Sequence, residues 1–155
     1  MMKIKLVAVG SLKEAYWKSA FEEYAKRLQK FVELSVVEVK EYSVQSLGSA
    51  ENVIKAESEA ILKELQGTVV LLDIQGTMVS SEDVSQLLQT YAGNGVSAVT
   101  FVIGGSHGVS AEVKQRAHKR ISFGRITYPH QLMRVIFAEQ MYRACTIWHH
   151  IAYHK

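Results

Sequence analysis

The residues best suited to chemistry crowd the last third of the chain. Tyr128-Pro129-His130-Gln131-Leu132-Met133-Arg134 is followed by Glu139 and Arg143, then by a terminal Tyr153-His154-Lys155. With a helix starting near Pro129, His130 and Arg134 stand one turn apart on one face, a cationic pair that suits a phosphate. A buried histidine satisfying a single hydrogen bond is the plainer alternative for His130. Glu139 and Arg143 are i, i+4 partners in a stretch otherwise rich in apolar residues. There an unpaired charge is costly, so a retained pair points to a site or to a subunit contact. His150 and His154 have the spacing of helical metal ligands, but no cysteine or carboxylate completes a set, and no metal is expected.

A second constellation is Gly104-Gly105-Ser106-His107-Gly108, between an apolar run and a helical one. Glycines let a backbone approach a ligand closely. Neither GxGxxG nor the Walker lysine is present, which argues against a diphosphate site. The segment also fits G-x-S-x-G, with Ser106 as a nucleophile and Glu139 and His154 following in the order of a hydrolase triad. No oxyanion segment of the HGGG kind accompanies it, and the chain is short for that fold. A plain tight turn is the third alternative. Cys145, the single cysteine, lies in an apolar helical stretch and reads as a buried, inert thiol.

These residues need a scaffold, and the pattern supplies an alternating one. Strands are expected at Lys3–Gly10, Glu33–Val39, Thr68–Ile74, Ala98–Ile103 and Ile121–Phe123. Helices are expected at Glu14–Lys30, from a cap at Ser49 to Leu65, from Ser80 or Ser81 to Tyr91, up to His118, and from Pro129 to Trp148. Ser46–Gly48 reads as a break and Gln75-Gly76-Thr77 as a turn. This alternation predicts a single α/β domain with a parallel sheet covered on both faces. Ligands bind such sheets beyond the carboxyl ends of the strands, which singles out the turns after Ile74, Ile103 and Phe123. The last helix is apolar around nearly its whole circumference, so a second copy of the chain is expected against it.

Charge is uneven along the 155 residues. Residues 1–112 hold ten lysines and arginines against fourteen acids, whereas residues 113–155 hold eight against Glu139 alone, with five of the six histidines. A basic C-terminal part suggests a polyanionic partner. With one cysteine, no long apolar run and no signal-peptide pattern, a cytoplasmic location without membrane contact is expected.

Six segments together resemble the RlmH family of knotted, SPOUT-class methyltransferases. They are KIKLVAVG at Lys3–Gly10, LLDIQG at Leu71–Gly76, FVIGGSHG at Phe101–Gly108, ISFGRITYPHQLMRV at Ile121–Val135, EQMYRA at Glu139–Ala144 and YHK at Tyr153–Lys155. The resemblance spans the chain as one SPOUT domain. It implies a C-terminal deep trefoil knot, with the knotted, cofactor-binding part at about residues 68–155. It also implies S-adenosylmethionine bound by Leu72, Gly104, Phe123, Gly124, Arg125, Ile126, Thr127 and Tyr128. Further implications are a homodimer and methylation of N3 of a pseudouridine in 23S rRNA within the ribosome.

Such a transfer asks for alignment and for loss of the imide proton. On that footing His154 is the expected proton acceptor, Tyr153 orients the base, and Arg143 stabilises developing negative charge. The tail is expected to complete the partner subunit's site. His130, Arg134, Lys119, Arg120 and Lys155 are expected to contact RNA. A non-catalytic RNA- or ribosome-binding module and a serine hydrolase are the competing functions. The family pattern carries glycine where His150 stands, proline at Ala152, serine at Gly124 and methionine at Ile126.

Overall fold

The computed structural model describes all 155 residues. Its strands are β1 (Met2–Val9), β2 (Val32–Val39), β3 (Thr68–Met78), β4 (Ala98–Ile103) and β5 (Lys119–Ser122). They form one sheet in the order β2-β1-β4-β3-β5, and every pairing is parallel. The helices are α1 (Ala15–Leu28), α2 (Val44–Leu47), α3 (Ala50–Glu64), α4 (Ser81–Gly93), α5 (Ala111–Arg116) and α6 (His130–Trp148).

Alternation along the strands divides the core in two. Ile4, Leu6 and Ala8 of β1 and Val99, Phe101 and Ile103 of β4 point to one face, where they meet Leu28 of α1, Val84 and Leu88 of α4, and Phe137, Met141 and Ala144 of α6. Val7, Val9, Val69, Leu71 and Val102 point to the other face, against Ile61 of α3 and Val113 of α5. Strands buried on both faces explain the unbroken apolar runs of β1 and β4. The Phe101 and Phe137 rings meet at 5.1 Å, tilted by 59°.

Helix starts follow local chemistry. Ser49 caps α3 by accepting from the Asn52 N–H, and Ser80 with Asp83 forms a reciprocal capping box on α4. Pro129 sits just before α6 as its cap and not in the first turn, so His130 opens the helix. Ser43–Gly48, expected as a break in part, holds the single-turn helix α2, capped by Ser43 and ended by Gly48 at φ 88°.

The largest departure from the expected elements is at Gln75-Gly76-Thr77. The strand resumes there instead of ending. Ile121 pairs first with Leu72 and again with Thr77, and Met78 pairs with Ser122. Residues 73–76 therefore arch around β5. A Cβ on Gly76 would lie 2.7 Å from the Arg120 carbonyl, so only glycine fits where the arch presses on the β5 backbone.

α6 lies between α1 and α4 on the sheet. Leu132, Val135, Ile136 and Ile147 share a helical stripe with Glu139 and Arg143. These four apolar residues stand outside both core clusters and remain partly exposed. No helix is long and apolar enough to cross a membrane.

Candidate functional site: a cavity at the strand ends and a tail cluster

The three turns singled out by the parallel-sheet rule converge. A cavity of about 880 Å³ opens at the arch within β3 and beyond the carboxyl ends of β4 and β5, walled by residues 71–75 and 103–109, by Ile121, Phe123, Gly124 and residues 126–130, and by Ile54, Lys114 and Met133. Of the eight expected cofactor contacts, Leu72, Gly104, Phe123, Gly124, Ile126, Thr127 and Tyr128 line it. Arg125 does not: it is exposed and outside the wall. Ile126 is 69% exposed at the rim, and Ile74 of the arch and Met78 at the end of β3 are also exposed.

Close approach explains the glycines. A Cβ on Gly104 would stand 2.7 Å from Val109 Cγ1, and one on Gly105 would stand 2.5 Å from Glu57 Oε1. Gly108 at φ 88° closes the turn, its N–H donating to the Gly105 carbonyl at 3.0 Å. The wall mixes apolar side chains with glycine backbone, which suits a ligand with a flat or apolar body met by main-chain groups. It lacks the clustered cations of a polyphosphate site, since Lys114 is its one lysine or arginine. The volume lies in the upper part of the ordinary ligand-pocket range, roughly 300–1,000 Å³.

The second cluster lies on α6 and the tail. Arg143 donates to both carboxylate oxygens of Glu139, at 3.1 and 2.7 Å, and lies 4.7 Å from the centre of the Tyr153 ring. Tyr153 Oη donates to Glu139 at 2.8 Å. Burial would push the Glu139 carboxyl up, but donors on Arg143, Tyr153 and Gln140 outweigh it and hold the group below the usual carboxylate range. Burial and the bond to Glu139 push the Tyr153 phenol up to about 12, so it stays a donor.

His154 Nδ1 meets Arg143 Nη1 at 3.1 Å, and its Nε2 meets Glu82 Oε1 at 2.6 Å. A guanidinium can only donate. Nδ1 is therefore the acceptor, and Nε2–H donates to Glu82, the neutral tautomer set by its partners. The structure thus brings Arg143, Tyr153 and His154 together, linked through Glu139 and Glu82. None of the five lines the cavity of its own chain.

The expected RNA contacts divide. Lys119 and Lys155 are exposed. Arg120 is exposed and pairs with Asp73 of the cavity wall at 3.3 Å. His130 reaches the cavity wall and lies 3.4 Å from Glu41. Arg134 is a correction: it is 2% exposed and bound to Glu38 and to the Val9 and Gly10 carbonyls. It clamps α6 to the end of β1 and offers no cation to solvent. The cationic pair expected at His130 and Arg134 faces the acids Glu41 and Glu38 instead.

The Ser106 triad is not assembled. Glu139 and His154 are committed to Arg143, Tyr153 and Glu82, and Ser106 makes no side-chain hydrogen bond to either. Cys145 is buried, and burial pushes its thiol up to about 12, so it is inert as expected. Sequence reasoning missed Ile54 and Lys114 in the wall and Glu82 behind His154, and gave no role to Asp73 and His107 within the segments it singled out. Asp73, at the end of an apolar strand, was the one with a readable signal.

Comparison with known proteins agrees with this architecture. Residues 2–154 match the model of a family described as predicted SPOUT methyltransferases. A protein of Caldicellulosiruptor saccharolyticus named ribosomal RNA large subunit methyltransferase H is 43% identical over 154 residues, covering 98% of this chain and 99% of that protein. A parallel sheet with its cavity at the carboxyl edge, matched from end to end in this way, places the chain in the SPOUT methyltransferase family, among the large-subunit methyltransferase H proteins.

Proposed function

We propose that this protein transfers a methyl group from S-adenosylmethionine to N3 of a pseudouridine in 23S ribosomal RNA. The observation that carries the proposal is the cavity built from the arch within β3 and the turns after β4 and β5, whose size and glycine-lined wall fit a folded adenosyl donor. The relative's name supplies the substrate class. The pairing of Ile121 with both Leu72 and Thr77 supports a C-terminal segment drawn through the 73–78 arch as a trefoil knot.

The donor's sulfonium supplies a methyl group already activated for attack. The chain's own residues have four tasks. Leu72, Gly104, Phe123, Gly124 and residues 126–128 hold the donor in place and exclude water. Arg143 stabilises the imide anion as it forms, and Tyr153 orients the base. His154 Nδ1 takes the imide proton once Arg143 turns to the substrate, and Glu82 at Nε2 steadies the resulting imidazolium. The N3–H proton passes to Nδ1, and the N3 lone pair forms the bond to the methyl carbon as the methyl–sulfur bond breaks, its electron pair staying on the sulfur, which departs as a thioether.

The tail cluster stands apart from its own cavity, which favours a homodimer in which each tail serves the partner's cavity. The stripe of Leu132, Val135, Ile136 and Ile147, with exposed Ile126 and Met78, is the surface suited to that contact. Lys119, Lys155 and Arg125 remain available for RNA phosphates.

The test is transfer of labelled methyl from S-adenosylmethionine to large ribosomal subunits that lack the modification. The expected product carries label on one pseudouridine of 23S rRNA. Cofactor binding without any label in rRNA would refute the substrate.

A further inference from the structure

Glu57 of α3 is a buried carboxyl with no assigned role. It is 2% exposed. Its Oε2 accepts the Tyr42 N–H at 3.0 Å, beyond the end of β2. Its Oε1 is buried and has no hydrogen-bond partner. That oxygen points at the underside of Gly105, where a Cβ would stand 2.5 Å from it and 3.3 Å from Val9 Cγ1.

The next residue extends the grip. Ser58, also 2% exposed, accepts the Ser110 N–H through its Oγ at 2.9 Å. Two successive polar side chains of one helix therefore lie under the 104–110 segment, Ser58 bonded to its far end and Glu57 packed beneath Gly105. One turn earlier on α3, Ile54 lines the cavity itself. Burying a carboxyl with one oxygen unsatisfied opposes folding, and an apolar filler would avoid that cost. Its retention calls for a task beyond filling space.

We infer that Glu57 is a positioning residue of the cofactor site, seated between the Tyr42 amide and Gly105 so as to fix the height of the Gly104–Gly108 turn above the sheet. The inference rests on the cavity being the S-adenosylmethionine site. Glu57 reaches the ligand only through the turn, so it governs binding of the donor and not the transfer step.

The test uses titration calorimetry with S-adenosylmethionine on the full chain, steady-state transfer, and thermal unfolding of the ligand-free protein. Glu57→Ala is expected to raise Kd and the donor's KM about tenfold, leaving kcat at saturating donor within twofold. Glu57→Gln, which keeps the acceptor for Tyr42 and the same bulk, is expected to bind within threefold of wild type. Gly105→Ala is expected to cost about tenfold alone, but under threefold when added to Glu57→Ala, because the clashing oxygen is then gone. Should Glu57→Ala fail to fold, Glu57→Asp carries the same comparison by withdrawing the carboxyl one methylene from Gly105. Tight wild-type binding with unchanged binding in the folded Ala or Asp variant overturns the inference alone. No binding by wild type overturns the cofactor site and the inference with it.

Discussion

The strand-end cavity and the tail cluster differ in how complete each is within one chain. The cavity is open and preformed, with glycine backbone and apolar side chains waiting for a ligand. The tail cluster is closed on itself: Arg143, Tyr153 and His154 spend their polar atoms on Glu139, Glu82 and one another. One region is built to be filled by a small molecule. The other is built to be held in shape and presented. A site divided in this way separates donor binding from substrate activation, and substitutions should separate them too.

The largest effect is expected from filling the cavity. Gly104→Val, whose Cβ already crowds Val109, should weaken S-adenosylmethionine binding at least about 1,000-fold, ~4 kcal/mol, by calorimetry. The tail network should be untouched. Next comes Arg143→Ala, which should lower kcat about 100-fold, ~2.7 kcal/mol, by removing a donor to developing charge. Donor Kd should stay within twofold; a parallel loss of donor affinity would break the separation.

A smaller effect is expected at His150. α6 ends with the Ile151 N–H bonded to the Thr146 carbonyl at 2.8 Å and the His150 N–H bonded to the Ile147 carbonyl at 3.2 Å. This double closure wants glycine at the left-handed position, yet His150 stands there at φ 54°. His150→Gly should stabilise the fold by about 1 kcal/mol in thermal or denaturant unfolding. It should leave donor binding unchanged.

The smallest effect concerns pH. The Glu82 carboxyl is held below its ordinary value of 4.5, first by its own backbone N–H and then by His154. Glu139 is shifted the same way. A depressed carboxylate contributes stability that is present above the ordinary value and lost as pH falls through the folded one. Histidine NMR should therefore show the tail loosening as pH drops below about 4.5, and Glu82→Gln should remove part of that dependence. Cavity resonances should not follow.

The two regions also differed in how far the sequence revealed them. The cavity-lining turns expected after Ile74, Ile103 and Phe123 were legible as a region because strand–helix alternation fixes a parallel sheet and such sheets bind at their carboxyl edge. Ser49 and Ser80 marked helix starts through purely local hydrogen bonds. The 73–78 arch was not legible. Gln75-Gly76-Thr77 has turn composition, and only its contact with Arg120, far along the chain, shows that the strand resumes. Arg134 misled for the same reason. Its partners Glu38, Val9 and Gly10 are about a hundred residues away, so helical spacing alone made it a surface cation. Glu139 and Arg143 were readable as a pair, but Glu82 behind His154 was not, because nothing local connects α4 to the tail.

Mixed dimers test the divided site most directly. Chains carrying Gly104→Val, paired with chains carrying Arg143→Ala, combine one blocked cavity and one disabled tail. If each tail serves its partner's cavity, one intact site forms per heterodimer, with about half the wild-type methyl transfer, although both parent homodimers are inactive. Heterodimers as inactive as the parents would contradict the account, since every site would then depend on a single chain.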